Sequence, residues 1–265
     1  LDFTRSFGYD EGRRGFWIGE LQGGFGTIGV NVSPTVTPGD LRIWTWSALA
    51  RGAKGINYYA WYPMSTGYEA GGFGLNQIDG TITDRAKVAG EIAKVVGRHE
   101  RLFLDARPVA AEVAIVYNPL AHFVGGRQRA AAYGGPQGEV VGIERDSWLG
   151  AYRALFARSV PVDYVHASHL TAERLSRYKL VIFPYPVMAP ESIAEPLRTY
   201  VEQGGALVSE ARLAWSNERG GSADRIPGLG LWEVFGARET AVQTAVGGKT
   251  QLTWTGLATD LPGLA

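Results

Sequence analysis

A short apolar run ending in a carboxylate, Gly15-Phe16-Trp17-Ile18-Gly19-Glu20, is followed by a glycine-rich stretch, a helix signal and a second run, Ile56-Asn57-Tyr58-Tyr59-Ala60-Trp61. This strand–helix–strand order constrains the chain more than any other feature in it. Such units cross over with one hand and leave their strands parallel, so both strands end on the same rim. A parallel sheet needs cover on both faces, and a closed eightfold barrel needs roughly 250 residues. Two strand–helix units in the first hundred residues supply neither. The first half therefore predicts part of a larger parallel β/α layer whose remainder comes from elsewhere.

The helix signals are local. Thr37-Pro38-Gly39-Asp40 offers an N-cap, a proline at the first helical position and an acidic first turn. Leu41, Trp44, Ala48 and Leu49 then recur at helical spacing, and Gly52 and Gly55 read as the stop. From Asp84 to Val96 a second helix is predicted, with Val88, Ile92, Val95 and Val96 on one face. After about Ala106 the text changes to short β-branched runs alternating with helical segments. Strands are expected at Glu112 to Tyr117, Val162 to Val165, Leu180 to Pro184 and Ala206 to Ser209. Helices are expected at about Ser147 to Ser159 and from Pro190 to Gln203, closed by Gly204-Gly205. That is the grammar of a doubly wound α/β domain. The division is placed in the segment Arg101 to Pro108, giving units 1–105 and 106–265.

Composition removes several function classes. The 26 Lys and Arg balance 26 Asp and Glu, so no field is available to hold nucleic acid or an anionic membrane surface. With no cysteine there are no disulfides, thiolate metal sites or cysteine nucleophile. The four histidines show no ligand spacing, and His166 and His169 read as surface or core-edge residues. No cofactor or metal is implied. The longest apolar runs are too short to span a bilayer, which predicts a soluble chain; its compartment is open, with the cytoplasm the favoured address. Leu1 is not an initiating Met and the last residues carry no terminating logic, so a piece of a longer protein is expected.

The chemistry sits in the first half. Glu20 follows a buried strand at its C-terminal mouth, where barrel enzymes keep catalytic groups, although a strand-end Glu can equally cap a loop or pair with an Arg. Glu69 lies among glycines in the loop after the second strand, a place also open to a merely solvated carboxylate. Tyr59 and Trp61, two apart, are expected to face the same way, with core packing as the bland alternative. Trp17, Phe25, Tyr59, Trp61 and Tyr68 around two carboxylates would combine apolar faces with acids, which suits a carbohydrate. Glu210, at a strand end of the second half, reads as structural or interfacial.

These motifs carry a resemblance. Gly15-Phe16-Trp17-Ile18-Gly19-Glu20-Leu21-Gln22-Gly23-Gly24, Pro38-Gly39 through Leu41-Arg42-Ile43-Trp44-Thr45-Trp46, Ala50-Arg51-Gly52-Ala53-Lys54-Gly55-Ile56-Asn57-Tyr58-Tyr59-Ala60-Trp61 and the following Glu69 resemble the end of the catalytic barrel of glycoside hydrolase family 42, the β-galactosidases. The resemblance implies the last two β/α units of a (β/α)8 TIM barrel, then a flavodoxin-like or amidotransferase-like α/β domain that helps build a trimer. It implies a retaining mechanism with Glu20 as nucleophile, Glu69 binding sugar hydroxyls and Tyr59 lining the sugar site, with Trp61 beside it. The acid/base Glu of the family lies on a strand preceding this chain, so a fragment lacking it is expected to be inactive alone. The sequence departs from the family at Ile28 or Gly29, Tyr62 and Gly72, where Trp, Arg and His are common. The second half, without cysteine, is expected to be catalytically silent. The competing reading is a non-catalytic sugar-binding or oligomerisation module.

Overall fold

The computed structural model describes residues 1–8, 15–125 and 142–241. The first half comprises α1 (Asp2–Gly8), β1 (Phe16–Gln22), the short antiparallel pair β2 (Thr27–Ile28) and β3 (Asn31–Val32), α2 (Pro38–Ala50), β4 (Ala53–Tyr59), α3 (Asp84–Arg98) and α4 (Glu100–Asp105). The second comprises β5 (Val113–Tyr117), α5 (Pro119–Gly125), α6 (Ile143–Phe156), β6 (Val162–His166), α7 (Ala172–Leu175), β7 (Leu180–Phe183), α8 (Ala194–Glu202), β8 (Ala206–Ser209) and α9 (Trp232–Phe235). The expected end of the chain at Leu261 to Ala265 lies outside the described residues.

α2 starts where the sequence places it. The Thr37 hydroxyl accepts from the Asp40 amide at 3.1 Å and the Asp40 carboxylate accepts from the Thr37 amide at 2.9 Å, a reciprocal capping box behind Pro38. Leu41, Thr45 and Ala48 form its buried row, and Thr45 shares a 2.9 Å hydrogen bond with the Tyr58 hydroxyl on β4. Trp44 falls on the flank of that row and is exposed, contrary to the helical-spacing expectation. Gly52, with φ +93, ends the helix region, but Gly55 does not: it lies within β4 under the Trp17 ring. A Cβ on Gly55 would come within 2.6 Å of that ring, so close packing is what calls for glycine there. In α3 the buried residues are Ala86, Val88, Ala89 and Ile92, whereas Val95, expected on this face, is exposed.

β1 and β4 are parallel, as the strand–helix–strand order requires. Phe16 and Ile18 pack with Ala48, Ala53 and Ile56 on the face that α2 covers, and Tyr58 lies on that face too. Trp17, Asn57 and Tyr59 therefore belong to the opposite face, the interior side of a barrel.

In the second half the four strands are all parallel in the order β6-β5-β7-β8. The first strand lies inside, with the second on one flank and the third and fourth on the other, the flavodoxin-like winding. α7 and α8 cover one face, where Val116, Val165, Phe183, Ile193 and Leu197 pack. α6 covers the other, with Trp148, Tyr152 and Leu155 against Ile115, Val162 and Tyr164. α6 begins at Ile143, one turn before the predicted start, with the buried Glu144 accepting from Trp148 Nε1 at 3.2 Å. α8 begins at Ala194 after a short 3-10 turn, which puts Pro196 in the first turn, where a helix tolerates it.

α1 precedes β1 in the chain but packs on the second half. The Phe3 ring lies 4.9 Å from Tyr117 and 5.2 Å from Tyr164, and Arg5 reaches Asp163 of β6 at 2.8 Å. Nothing in so short a segment announces this helix; the aromatic surface of the sheet stabilises it.

Candidate active site

The site is built at the C-terminal ends of β1 and β4. Ile18 pairs with Ile56 and Leu21 with Tyr58, so three residues of β1 advance against two of β4. Gly19 and Glu20 together oppose Asn57, a one-residue bulge. Strict alternation would send Glu20 after Phe16 and Ile18 toward α2. The extra residue leaves it on the interior face and returns Leu21 to the face of Tyr58. Asn57 Nδ2 donates to the Gly19 carbonyl at 3.0 Å.

Past β4, the chain turns back in a loop stitched to the segment after β1. Ala60 N donates to Phe73 O and Leu75 N to Ala60 O, each at 2.7 Å, and Phe73 N donates to Phe25 O at 2.7 Å. Gly29 N donates to Tyr68 O at 2.9 Å, and the Thr27 hydroxyl to Ala70 O at 3.2 Å. The approach is close enough that a Cβ on Gly24 would come within 2.5 Å of the Gly74 carbonyl. Arg85, in the first turn of α3, donates to Gly23 O at 2.8 Å and to Gly74 O at 3.2 Å, clamping both loops with one guanidinium.

The result is that Glu69 is delivered to Tyr59. The Tyr59 hydroxyl donates to Glu69 Oε2 at 2.6 Å. Its pKa is raised above the ordinary phenol value by that bond first, then by burial, and by the charges of Glu69 and Glu20. Glu20 stands on the neighbouring strand opposite Asn57, two residues from Tyr59 along β4. Of the four expected site residues, the structure brings together Glu20, Tyr59 and Glu69. Trp61 is set apart: β4 ends at Tyr59, so strand alternation does not govern Trp61, whose side chain is 63 % exposed beyond the strand. Of the wider aromatic wall, Trp17 lies lower on the interior face over Gly55, and Tyr68 is an exposed ring over Gly29. Phe73, which the sequence did not flag, packs instead, 5.4 Å from the Tyr59 ring. Asn57 and Arg85 were also missed, although Asn57 stands two residues before Tyr59 and so on its face.

Elsewhere, Glu210 Oε2 accepts from Ser147 Oγ at 2.8 Å and from Tyr185 N at 3.0 Å, tying α6 to the turn after β7 in the structural role expected of it. Among the described residues no group of three or more His, Asp or Glu is arranged to hold a metal. No helix among them is long and apolar enough to cross a membrane.

Comparison with known proteins bears on this geometry. The profile described as "Beta-galactosidase" matches residues 1–98, and that described as "Beta-galactosidase trimerisation domain" matches residues 111–260. The chain belongs to glycoside hydrolase family 42. Among relatives, the family 42 chain is 28 % identical over 175 residues to β-galactosidase BgaB of a Geobacillus species, an alignment covering 64 % of this chain and 24 % of that protein. It is 34 % identical over 114 residues to BgaA of a Thermus species, covering 43 % and 17 % respectively. The chain thus spans about a quarter of the length of the curated relatives it matches. The β-galactosidase from Bacillus circulans superposes with a TM-score of 0.70 at 23 % identity, over 83 % of this chain and 31 % of the other. That from Halorubrum lacusprofundi gives 0.65 at 26 %, over 89 % and 32 %. The architecture is accordingly the last two β/α units of a (β/α)8 barrel followed by a flavodoxin-like α/β domain.

Proposed function

We propose that this chain supplies the nucleophile half of a retaining glycoside hydrolase acting on terminal β-D-galactosyl residues or related sugars such as α-L-arabinopyranosides. Glu20 attacks the anomeric carbon. A second carboxyl about 5 Å away, contributed by a strand outside this chain, protonates the leaving oxygen and then activates water. Glu69 accepts hydrogen bonds from sugar hydroxyls, Tyr59 orients it, and Trp61 offers a rim surface for stacking. One observation carries the reading: a phenol at the end of β4 donates to Glu69 at 2.6 Å beside the β1 segment that carries Glu20, so two carboxylates and an aromatic ring lie at the C-terminal rim of adjacent parallel strands.

The division into a barrel part, 1–105, and an α/β part, 106–265, is supported by the end of α4 at Asp105, the start of β5 at Val113 and the gap between the two profile matches. A homotrimer built through the second part, with a soluble cytoplasmic address, goes with the same reading. The test is Glu20→Gln in the protein with its barrel complete. Turnover of an aryl β-galactoside should fall by several powers of ten with the fold intact, because the covalent route is lost. Retention of more than about a tenth of the rate would remove Glu20 from the nucleophile's role.

A further inference from the structure

We propose that Asn57 is a positioning residue for Glu20: its side-chain amide holds the bulge that keeps the carboxylate on the interior face of β1, beside Tyr59. The inference rests on the reading of Glu20 as nucleophile and adds to it the group that aims it.

Parity along β1 decides which face Glu20 takes. Phe16 and Ile18 pack with Ala48 of α2 and with Ala53 and Ile56 of β4, and Tyr58 bonds Thr45 of α2. A regular strand continuing from Phe16 and Ile18 would place Glu20 under α2, away from Tyr59. The register shows why it does not: Gly19 and Glu20 share the single position opposite Asn57, and Leu21, not Glu20, pairs with Tyr58. An extra residue in a strand displaces a backbone carbonyl from its ladder, and that carbonyl needs another donor. Asn57 provides it from directly across the bulge, Nδ2 to Gly19 O at 3.0 Å. An aliphatic side chain at 57 would leave Gly19 O to solvent and make the regular register, with Glu20 turned outward, the competing state. Asn57 is itself exposed on the interior face, so its role is not that of a core-filling residue.

The test uses the protein with its barrel complete and reads Glu20 directly. A 2-deoxy-2-fluoro-β-galactosyl fluoride serves as probe: a Glu20 oxygen bonds to the anomeric carbon as the carbon–fluorine bond breaks, fluoride leaves, and the adduct is located by peptide mass spectrometry. In Asn57→Ala the maximal labelling rate should fall by at least about tenfold, with the probe's binding constant changed less than about threefold, and kcat should fall in parallel with KM nearly unchanged. Asn57→Asp keeps the shape, removes the donor and sets a like charge opposite Glu20. It should also label slowly, and the acid limb of kcat/KM should move to higher pH, since a neighbouring carboxylate raises the pKa of Glu20. A merely structural contact would lower the melting temperature with the labelling rate and kcat of the folded variant unchanged. Should Asn57→Ala fold poorly, the isosteric Asp variant carries the test. Either folded variant labelling Glu20 at the wild-type rate would overturn the proposal while Glu20→Gln stays inactive. Wild-type labelling at a residue other than Glu20 would instead overturn the functional reading beneath it.

Discussion

Replacing Asp2 by Asn should destabilise the protein by about 3 kcal/mol at neutral pH, and the difference should shrink in acid. Asp2 opens α1 with its side chain 5 % exposed. It accepts from the Tyr152 hydroxyl of α6 at 2.5 Å and from Arg5 Nε at 3.2 Å, and it pairs with Arg51 at the end of α2. Burial acts to raise its pKa, but the bonds from Tyr152 and Arg51 and the charges of Arg51 and Arg5 outweigh it, so the net shift is below the ordinary 3.8. Breaking a buried ion pair at one partner costs about 3–5 kcal/mol. The lower end applies here, because Arg5 keeps Asp163 at 2.8 Å and Arg51 is part exposed. The amide preserves shape and one acceptor, so the loss is chiefly of charge. A carboxylate whose folded pKa is depressed contributes stability above its unfolded value, and loses it as pH falls through the folded one. Urea unfolding of wild type and Asp2→Asn at pH 7 and again below about pH 4 measures both parts. A gap under about 1 kcal/mol at pH 7, or an equal gap at both pH values, would refute the reasoning.

Two further outcomes follow from the site. Glu69→Ala should raise KM and lower kcat, removing charge-assisted hydrogen bonds worth roughly 1.5–3 kcal/mol each; kinetics on galactosides, glucosides and arabinopyranosides should show the loss greatest for the sugar whose hydroxyl it holds, and equal losses would point to a loop role. Gly24→Ala should part the loops after β1 and β4, because the new Cβ would meet Gly74 O at 2.5 Å; a drop in both melting temperature and kcat/KM is expected, and an unchanged kcat/KM would separate that contact from catalysis.

The parts of this fold that were legible in the sequence are those set by local chemistry. Thr37 and Asp40 cap α2 with their own side chains, and the β-branched runs of the second half become four parallel strands because such runs suit a sheet buried on both faces. Glu20 was readable as a carboxylate near the end of its strand, which continues to Gln22 rather than stopping before it, but its direction was not, since the bulge is defined only against β4. The direction of Trp61 was not legible, because strand alternation stops at Tyr59. Gly55 was read as a helix stop because a glycine admitting a ring across a strand looks, in sequence, like one closing a helix. The Tyr59–Glu69 bond depends on a loop anchored by backbone hydrogen bonds, which leave no trace in side-chain identity.

The placement of α1 has a consequence for how this chain could be divided. Its end bonds back to the start of β1, Gly15 N to Gly8 O at 3.1 Å, while its aromatic side seals β5 and β6. Residues that come first along the chain therefore complete the unit that comes last. An excision at 105/106 would deprive the α/β part of a piece of its own covering, the Phe3 ring against Tyr117 and Tyr164. The same helix that packs on those rings ends against β1, the strand that carries Glu20, so α1 touches both halves of the chain.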